Sequence, residues 1–138
     1  IHRRLVGSEM CIRDSFNCPS GGPMVQHTII SLLDESPKHG VNIEKVIEKI
    51  AHNPAKIFNI KKRGFIREGY FADLVLIDPN SPTLVTRKSL LYKCGWSPFV
   101  GHTFRSSILG TWVNGERVFD GRRVVETTTH SMALNFSR

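Results

Sequence analysis

The sequence predicts an α+β fold, on three observations. Segments with helical periodicity come first, between residues 23 and 59; short apolar runs separated by turn residues follow, from residue 65 to residue 125; and no segment repeats. A length of 138 residues is about one domain, and it falls short of the ~250 residues that a complete (β/α)₈ barrel typically needs.

Residues 1–15 have no clean period, and residues 5–15 look like translated sequencing-adapter text, so this stretch is set aside as an adapter-like leader. Coherent sequence begins at Phe16. Residues 18–23, Cys-Pro-Ser-Gly-Gly-Pro, form a turn-rich loop, and Pro23 suits a first helical position because its missing N–H has no helical partner to lose. A helix of about three turns is predicted next, with Val25, Ile29, Leu32 and Leu33 on one face. Ser36-Pro37 and Gly40 stop it. Asn42 caps a second helix, whose Ile43, Val46, Ile47 and Ile50 recur at i, i+3, i+4 and i+7. His52-Asn53-Pro54 ends that helix and starts a short third one, with Asn53 as cap and Pro54 first, reaching Phe58 or Asn59.

After Arg63-Gly64 the pattern changes to strands. Phe65-Ile66 is one, a turn follows at Glu68-Gly69, and residues 72–78 carry the apolar run Leu74-Val75-Leu76-Ile77, closed by Pro79. An unbroken run of this kind predicts a strand buried on both faces. Residues 109–113 and 116–119 bracket Asn114-Gly115, a strong hairpin signal, and Asp120-Gly121 turns the chain toward Val124-Val125.

Composition excludes several classes. With 40% hydrophobic, 22% charged and 9% aromatic residues, the chain is neither disordered nor fibrous. No apolar run approaches the ~20 residues of a membrane span, and residues 1–15 lack a secretory apolar stretch, so a soluble, intracellular protein is expected. Cys11, Cys18 and Cys94 are scattered and form no C-x-x-C pair, which predicts free thiols in a reducing compartment. The net charge of +7 comes from 19 Lys+Arg against 12 Asp+Glu. Only Lys61, Lys62, Arg63 and Arg67 cluster, without an aromatic stacking pattern, so a solvated basic face is expected and not a nucleic-acid footprint.

The six histidines, His2, His27, His39, His52, His102 and His130, form no H-x-H pair and no H-E-x-x-H helix face. No G-x-S-x-G elbow, Walker loop or G-x-G-x-x-G fingerprint is present. Ser97-Pro98 and Ser20-Gly21 read first as turn chemistry. One feature points to a ligand: Gly21 and Gly22 allow close backbone approach, and the helix start after them offers free N–H groups to an anion. An ordinary glycine turn before a helix explains the same residues, and on the residues alone it is the stronger reading.

His52-Asn53-Pro54-Ala55-Lys56-Ile57-Phe58, followed by Gly64-Phe65-Ile66, Glu68-Gly69 and Ala72-Asp73-Leu74-Val75-Leu76-Ile77-Asp78, resembles the C-terminal signature of the amidohydrolase superfamily. Residues 19–27, Pro-Ser-Gly-Gly-Pro-Met-Val-Gln-His, and residues 91–99, Leu-Tyr-Lys-Cys-Gly-Trp-Ser-Pro-Phe, with Gly101 and Val113-Asn114-Gly115, resemble the barrel-type dihydroorotases of bacteria. The resemblance covers essentially residues 16–138.

It implies an α+β fragment: residues 16–60 as the final helices of a (β/α)₈ metal-dependent hydrolase barrel, and residues 61–138 as strands of the small composite β-sandwich domain with a C-terminal tail. In the family that sandwich also takes strands from the chain's N-terminus, so exposed edges and a tendency to associate are expected here. The implied activity is dihydroorotase, a zinc enzyme that interconverts L-dihydroorotate and N-carbamoyl-L-aspartate in cytoplasmic pyrimidine synthesis, using a hydroxide bridged between two metal ions. The family's metal ligands and catalytic aspartate lie in motifs absent here, so this chain alone is expected to be inactive, with no catalytic and no metal residue of its own. Ser20 and Gly21 are the implied substrate-binding residues, through backbone contacts. His27 is expected to pack or cap, Asp73 and Asp78 to serve turns or the sandwich edge, His52 and Asn53 to make structural hydrogen bonds, and Trp96 and Phe99 to be core or interface aromatics. Implied partners are the small-molecule substrate, further copies of the intact enzyme and aspartate transcarbamoylase, with neither nucleic acid nor membrane. The alternatives are allantoinase or hydantoinase, a metal-free dihydroorotase-like partner of aspartate transcarbamoylase, and, outside the resemblance, a basic nucleic-acid-binding module.

Overall fold

The computed structural model describes residues 21–126 and 132–136. The adapter-like leader, Cys11, Cys18 and Ser20 lie outside the described residues. Helices precede strands, as the periodicity predicts. A 3₁₀ turn at Val25–His27 leads into α1 (Thr28–Glu35), which ends through a second 3₁₀ turn at Ser36–His39. Gly40 at φ +68° closes that turn in the left-handed conformation, and the Val41 N–H donates to Ser36 O at 2.9 Å.

The buried face of α1 differs from the expected one. Val25, 88% exposed, lies in the 3₁₀ turn, whose residues advance by a different angle from those of an α-helix. His27, Ile30 and Asp34 are the buried residues instead, and Leu32 is exposed. Ile30 belongs to the most buried cluster, with Val85 and Phe104, and Ile29, Leu90, Phe99 and Ile108 pack around it.

Asn42 caps α2 (Ile43–Ile47) as expected, its Oδ1 accepting the Lys45 N–H at 3.0 Å. The helix does not end at His52. Residues Glu48–His52 form a π-helical turn that runs into α3 (Asn53–Ile57), and Asn53 is itself helical at φ −67°, ψ −43°. The Asn53 N–H donates five residues back, to Glu48 O. This wider turn lets the chain pass Pro54, which has no N–H and whose ring would crowd a normal helical turn. Asn53 is therefore part of the helix and not its cap.

The strands are β1 (Leu74–Asp78), β2 (Thr83–Leu84), β3 (Thr103–Phe104), β4 (Ser107–Val113) and β5 (Glu116–Phe119). They form an antiparallel three-stranded sheet in the order β1-β4-β5 and an antiparallel pair β2-β3. The predicted hairpin is present: Asn114 at φ +52° and Gly115 at φ +88° make the left-handed two-residue turn that matches strand twist. The Asp120-Gly121 turn also forms, with Asp120 Oδ1 accepting the Arg122 and Arg123 N–H groups at 2.9 Å. Val125 N–H then donates to Val118 O at 2.9 Å.

Two strand expectations fail. Phe65-Ile66 is not a strand: Phe65 lies flat on the His52 ring, with centroids 4.5 Å apart and an interplanar angle of 11°, while Gly64 at φ +80° turns the backbone away from any ladder. β1 is not buried on both faces, since Leu74, Val75 and Leu76 are 38%, 47% and 52% exposed. Among the described residues it is an edge strand paired with β4 alone, and a cavity of about 390 Å³, lined by Ile66, Leu74, Val75, Leu76 and Trp112 among others, opens on it.

A polar knot joins the α3–β1 connection to the hairpin. Arg63 pairs with Asp73 and donates to Asn114 Oδ1 at 2.9 Å, Asp73 Oδ1 accepts the Asn114 N–H at 2.8 Å, and the Arg63 guanidinium stacks 4.3 Å from the Phe71 ring centroid. Gly64 beside it has no room for a side chain, because a Cβ there would overlap the Ala55 Cβ and come 2.9 Å from Ala51 O. Gly64→Ala is expected to cost roughly 2–4 kcal/mol, from left-handed strain plus overpacking. Urea unfolding checks this; a loss below about 0.5 kcal/mol would contradict the packing described.

Candidate substrate-contact site

Gly21 stands at the start of the described chain, exposed and at φ +82°, and among the described residues beyond its chain neighbours no atom lies within 4 Å of the place where a Cβ would sit. Its backbone is open to approach. Pro23 is not the first helical residue, however: the 3₁₀ turn starts at Val25 and the α-helix at Thr28. Two of the N–H groups near this end are already engaged. Gln26 N–H donates to the Tyr92 hydroxyl at 2.8 Å, and His27 N–H to Met24 O at 2.9 Å. A ligand approaching this end therefore meets the glycine loop before it meets free helix N–H groups.

Gln26 is one residue that sequence reasoning missed. Its Nε2 donates to Ser89 O at 2.8 Å and its Oε1 accepts the Leu91 N–H at 2.9 Å, so one side-chain amide closes on the backbone of a segment more than sixty residues away. That segment is held in turn by a capping box, in which Thr86 Oγ1 accepts the Ser89 N–H and Ser89 Oγ accepts the Thr86 N–H.

His27 packs, as expected. It is 3% exposed, stacked on Phe104 at 6.0 Å and met edge-on by Phe99 at 5.8 Å and Tyr92 at 6.2 Å. Its Nδ1 has no hydrogen-bond partner among the described residues. Burial pushes its pKa below the ordinary imidazole value, because desolvation penalises the charged ring. A cavity of about 200 Å³ opens beside it, with Lys88 and Arg122 among the lining residues.

Asp34 and Arg105, also missed, join α1 to the residues before β4. Both Asp34 carboxylate oxygens accept the Arg105 backbone N–H, at 3.1 and 3.2 Å, and the Arg105 Nε lies 3.5 Å away. Asp73 is held in the knot with Arg63 and Asn114, and Asp78 Oδ1 accepts the Asn80 N–H at 2.9 Å, so both carboxylates serve turns. His52 stacks on Phe65, and Asn53 Nδ2 donates to Glu48 Oε1 at 3.5 Å. Phe99 packs on Phe104 at 5.2 Å, Trp96 is 41% exposed, and Ser97 Oγ accepts the Phe99 N–H at 3.3 Å in a local turn.

The stretches 19–27 and 91–101, distant in sequence, thus meet through Gln26, Tyr92, His27 and Phe99. The Amidohydrolase family profile matches residues 10–118. The chain belongs to the amidohydrolase family. The chain is 35% identical over 111 residues to a dihydroorotase of Halobacterium salinarum, covering 80% of this chain and 26% of that protein. It is 36% identical over 114 residues to an allantoinase of Rubrobacter xylanophilus, covering 81% of this chain and 25% of that protein. An L-hydantoinase (dihydropyrimidinase) from Arthrobacter aurescens shares the fold, with a TM-score of 0.70 at 24% identity over 83% of this chain and 26% of that one. The chain therefore spans about a quarter of the length of these curated relatives.

Zinc, implied by the resemblance, needs about three or four converging His, Cys or carboxylate ligands. Among the described residues no three such side chains come together. His27 sits in its aromatic cage, His52 lies flat on Phe65, and His102 packs edge-on to Phe104 at 4.6 Å. The described residues do not fit a zinc site. No helix among them is long and apolar enough to cross a membrane.

The unfolded chain takes up a proton at His27 near pH 6.5, the folded chain only at lower pH, so stability is lost as pH falls from about 6.5 through the lowered folded value. Thermal melts between pH 7.5 and 5 are expected to show this fall, and His27→Phe to flatten it. An unchanged slope in the variant would show that His27 is not its source.

Proposed function

We propose that the whole protein is a dihydroorotase, interconverting L-dihydroorotate and N-carbamoyl-L-aspartate, and that this chain supplies backbone contacts to the substrate at Ser20 and Gly21. The carrying observation is the junction of the two stretches that resemble dihydroorotases: the Gln26 amide closes on Ser89 and Leu91, and Tyr92 accepts the Gln26 N–H. The likeness to the Halobacterium salinarum dihydroorotase supports the same reading. L-Dihydroorotate offers a carboxylate and ring amides. The open backbone at Gly21 can donate to the first and pair with the second without any side chain between.

In this reading residues 16–60 end the barrel and residues 61–138 supply sandwich strands, the exposed face of β1 being the one the rest of the sandwich covers. Two zinc ions, a cytoplasmic setting, a homo-oligomer and an association with aspartate transcarbamoylase belong to the reading for the whole protein. The contribution of this chain is substrate contact and not metal chemistry. Allantoinase is the second reading, favoured by the 36% identity to the Rubrobacter xylanophilus protein.

Assays of the whole protein with zinc against L-dihydroorotate, allantoin and hydantoin distinguish these. A kcat/KM at least tenfold higher for L-dihydroorotate is expected. A preference for allantoin would install the second reading, and hydrolysis of none of the three would overturn both. The 138-residue chain with added zinc is expected to turn over none of them, and measurable turnover would refute the division of labour proposed here.

A further inference from the structure

We infer that Gln26 is a positioning residue that holds the Gly21-Gly22 loop in register with the Ser89–Tyr92 segment, an inference that rests on the substrate-contact role proposed for that loop. Among the described residues little beside the loop holds it: a Cβ at Gly21, φ +82°, would meet nothing within 4 Å, and one at Gly22 only the Met24 side chain, at 3.7 Å. Glycine loses the most conformational freedom on ordering, so the loop depends on anchors such as the one at its Met24 end.

The end is well fixed. Met24 O accepts both the His27 N–H and the Thr28 hydroxyl, each at 2.9 Å, which makes the loop's last carbonyl part of the helix start. Gln26, inside that same turn, then carries three hydrogen bonds to one distant segment: its N–H to Tyr92, its Nε2 to Ser89 O and its Oε1 from Leu91 N–H. A planar amide that donates and accepts at once fixes both translation and twist, as a lone donor cannot. Movement of the 89–92 segment is therefore carried to the loop within five residues. The Gln26 side chain is spent on Ser89 and Leu91, and the role proposed for it is exerted through Gly21.

Gln26→Met removes both side-chain hydrogen bonds at similar length, and Gln26→Glu keeps the acceptor for Leu91 N–H while setting a carboxylate against Ser89 O. In the whole protein, Gln26→Met is expected to raise KM for L-dihydroorotate at least tenfold while kcat changes less than threefold. Gln26→Glu is expected to fall between it and wild type. Hydrogen exchange at the Leu91 amide is expected to quicken at least tenfold in Gln26→Met. Val46→Ala, which removes a buried side chain of α2 away from the clamp, is expected to lower the melting temperature and leave KM unchanged. An active wild type whose Gln26→Met variant shows faster Leu91 exchange with an unchanged KM overturns the inference and leaves the proposed function standing. Unchanged Leu91 exchange also overturns it. A wild type inactive on every cyclic amide tested overturns the proposed function, and the positioning role falls with it.

Discussion

Asp34 accepts the Arg105 backbone N–H with both carboxylate oxygens, from the buried face of α1, and much of the molecule takes its register from that contact. A buried carboxylate without a donor is costly, so α1 cannot rotate about its axis without leaving one. With Asp34 fixed, Ile30 one turn earlier lands in the cluster of Val85 and Phe104, and His27 a further turn back lands against Phe99, Phe104 and Tyr92. Gln26 is then aimed at Ser89 and Leu91. One hydrogen-bonded carboxylate thereby orients an apolar contact, an aromatic cage and an amide clamp in succession.

Polar ties carry this weight because few apolar side chains are fully enclosed. Among the described residues Ile30, Val46, Ala55, Val85 and Phe104 form the buried apolar set, and they come from both the helical and the strand-rich parts. The Arg63–Asp73–Asn114 knot does for the hairpin what Asp34 does for α1, fixing the chain before β1 to the turn between β4 and β5. Apolar surface that elsewhere would close a core is left open along Leu74, Val75 and Leu76. A strand so exposed on an edge is stable only where something covers it or where its neighbours are pinned by other means.

Features governed by local backbone preference were readable in the sequence. The Asn42 cap, the Asn114-Gly115 turn and the Asp120-Gly121 turn each depend on one or two residues whose conformational preference decides the outcome. Failures arose where a distant partner or a register change decided instead. The 3₁₀ turn before α1 and the π turn before Pro54 each shift helical phase, which a search for a 3.6-residue period cannot register. Phe65 has the composition of a strand residue but is claimed by the His52 ring. At the site, the glycine loop was visible in composition, whereas Gln26, Tyr92, Asp34 and Arg105 act through partners more than sixty residues away. Gln26 and Tyr92 lie inside the stretches that carry the resemblance, which was the one available signal for them.

Two relatives with different names are about equally similar to the chain, at 35% and 36% identity, and the candidate site is built largely from main-chain contacts. Gln26 binds Ser89 O and Leu91 N–H, and Gly21 presents a bare backbone; both use main-chain atoms that every residue carries. Main-chain N–H and C=O groups recognise a carboxylate or a ring amide as a class, but they cannot distinguish one cyclic amide from another by its substituents. Discrimination of that kind requires side chains that pair with, or exclude, the differing group. The sequence of this segment follows the demands of its frame: a glycine where Ala55 leaves no room, an arginine where a carboxylate and an amide meet, and a glutamine whose one side chain both donates to and accepts from the same distant segment.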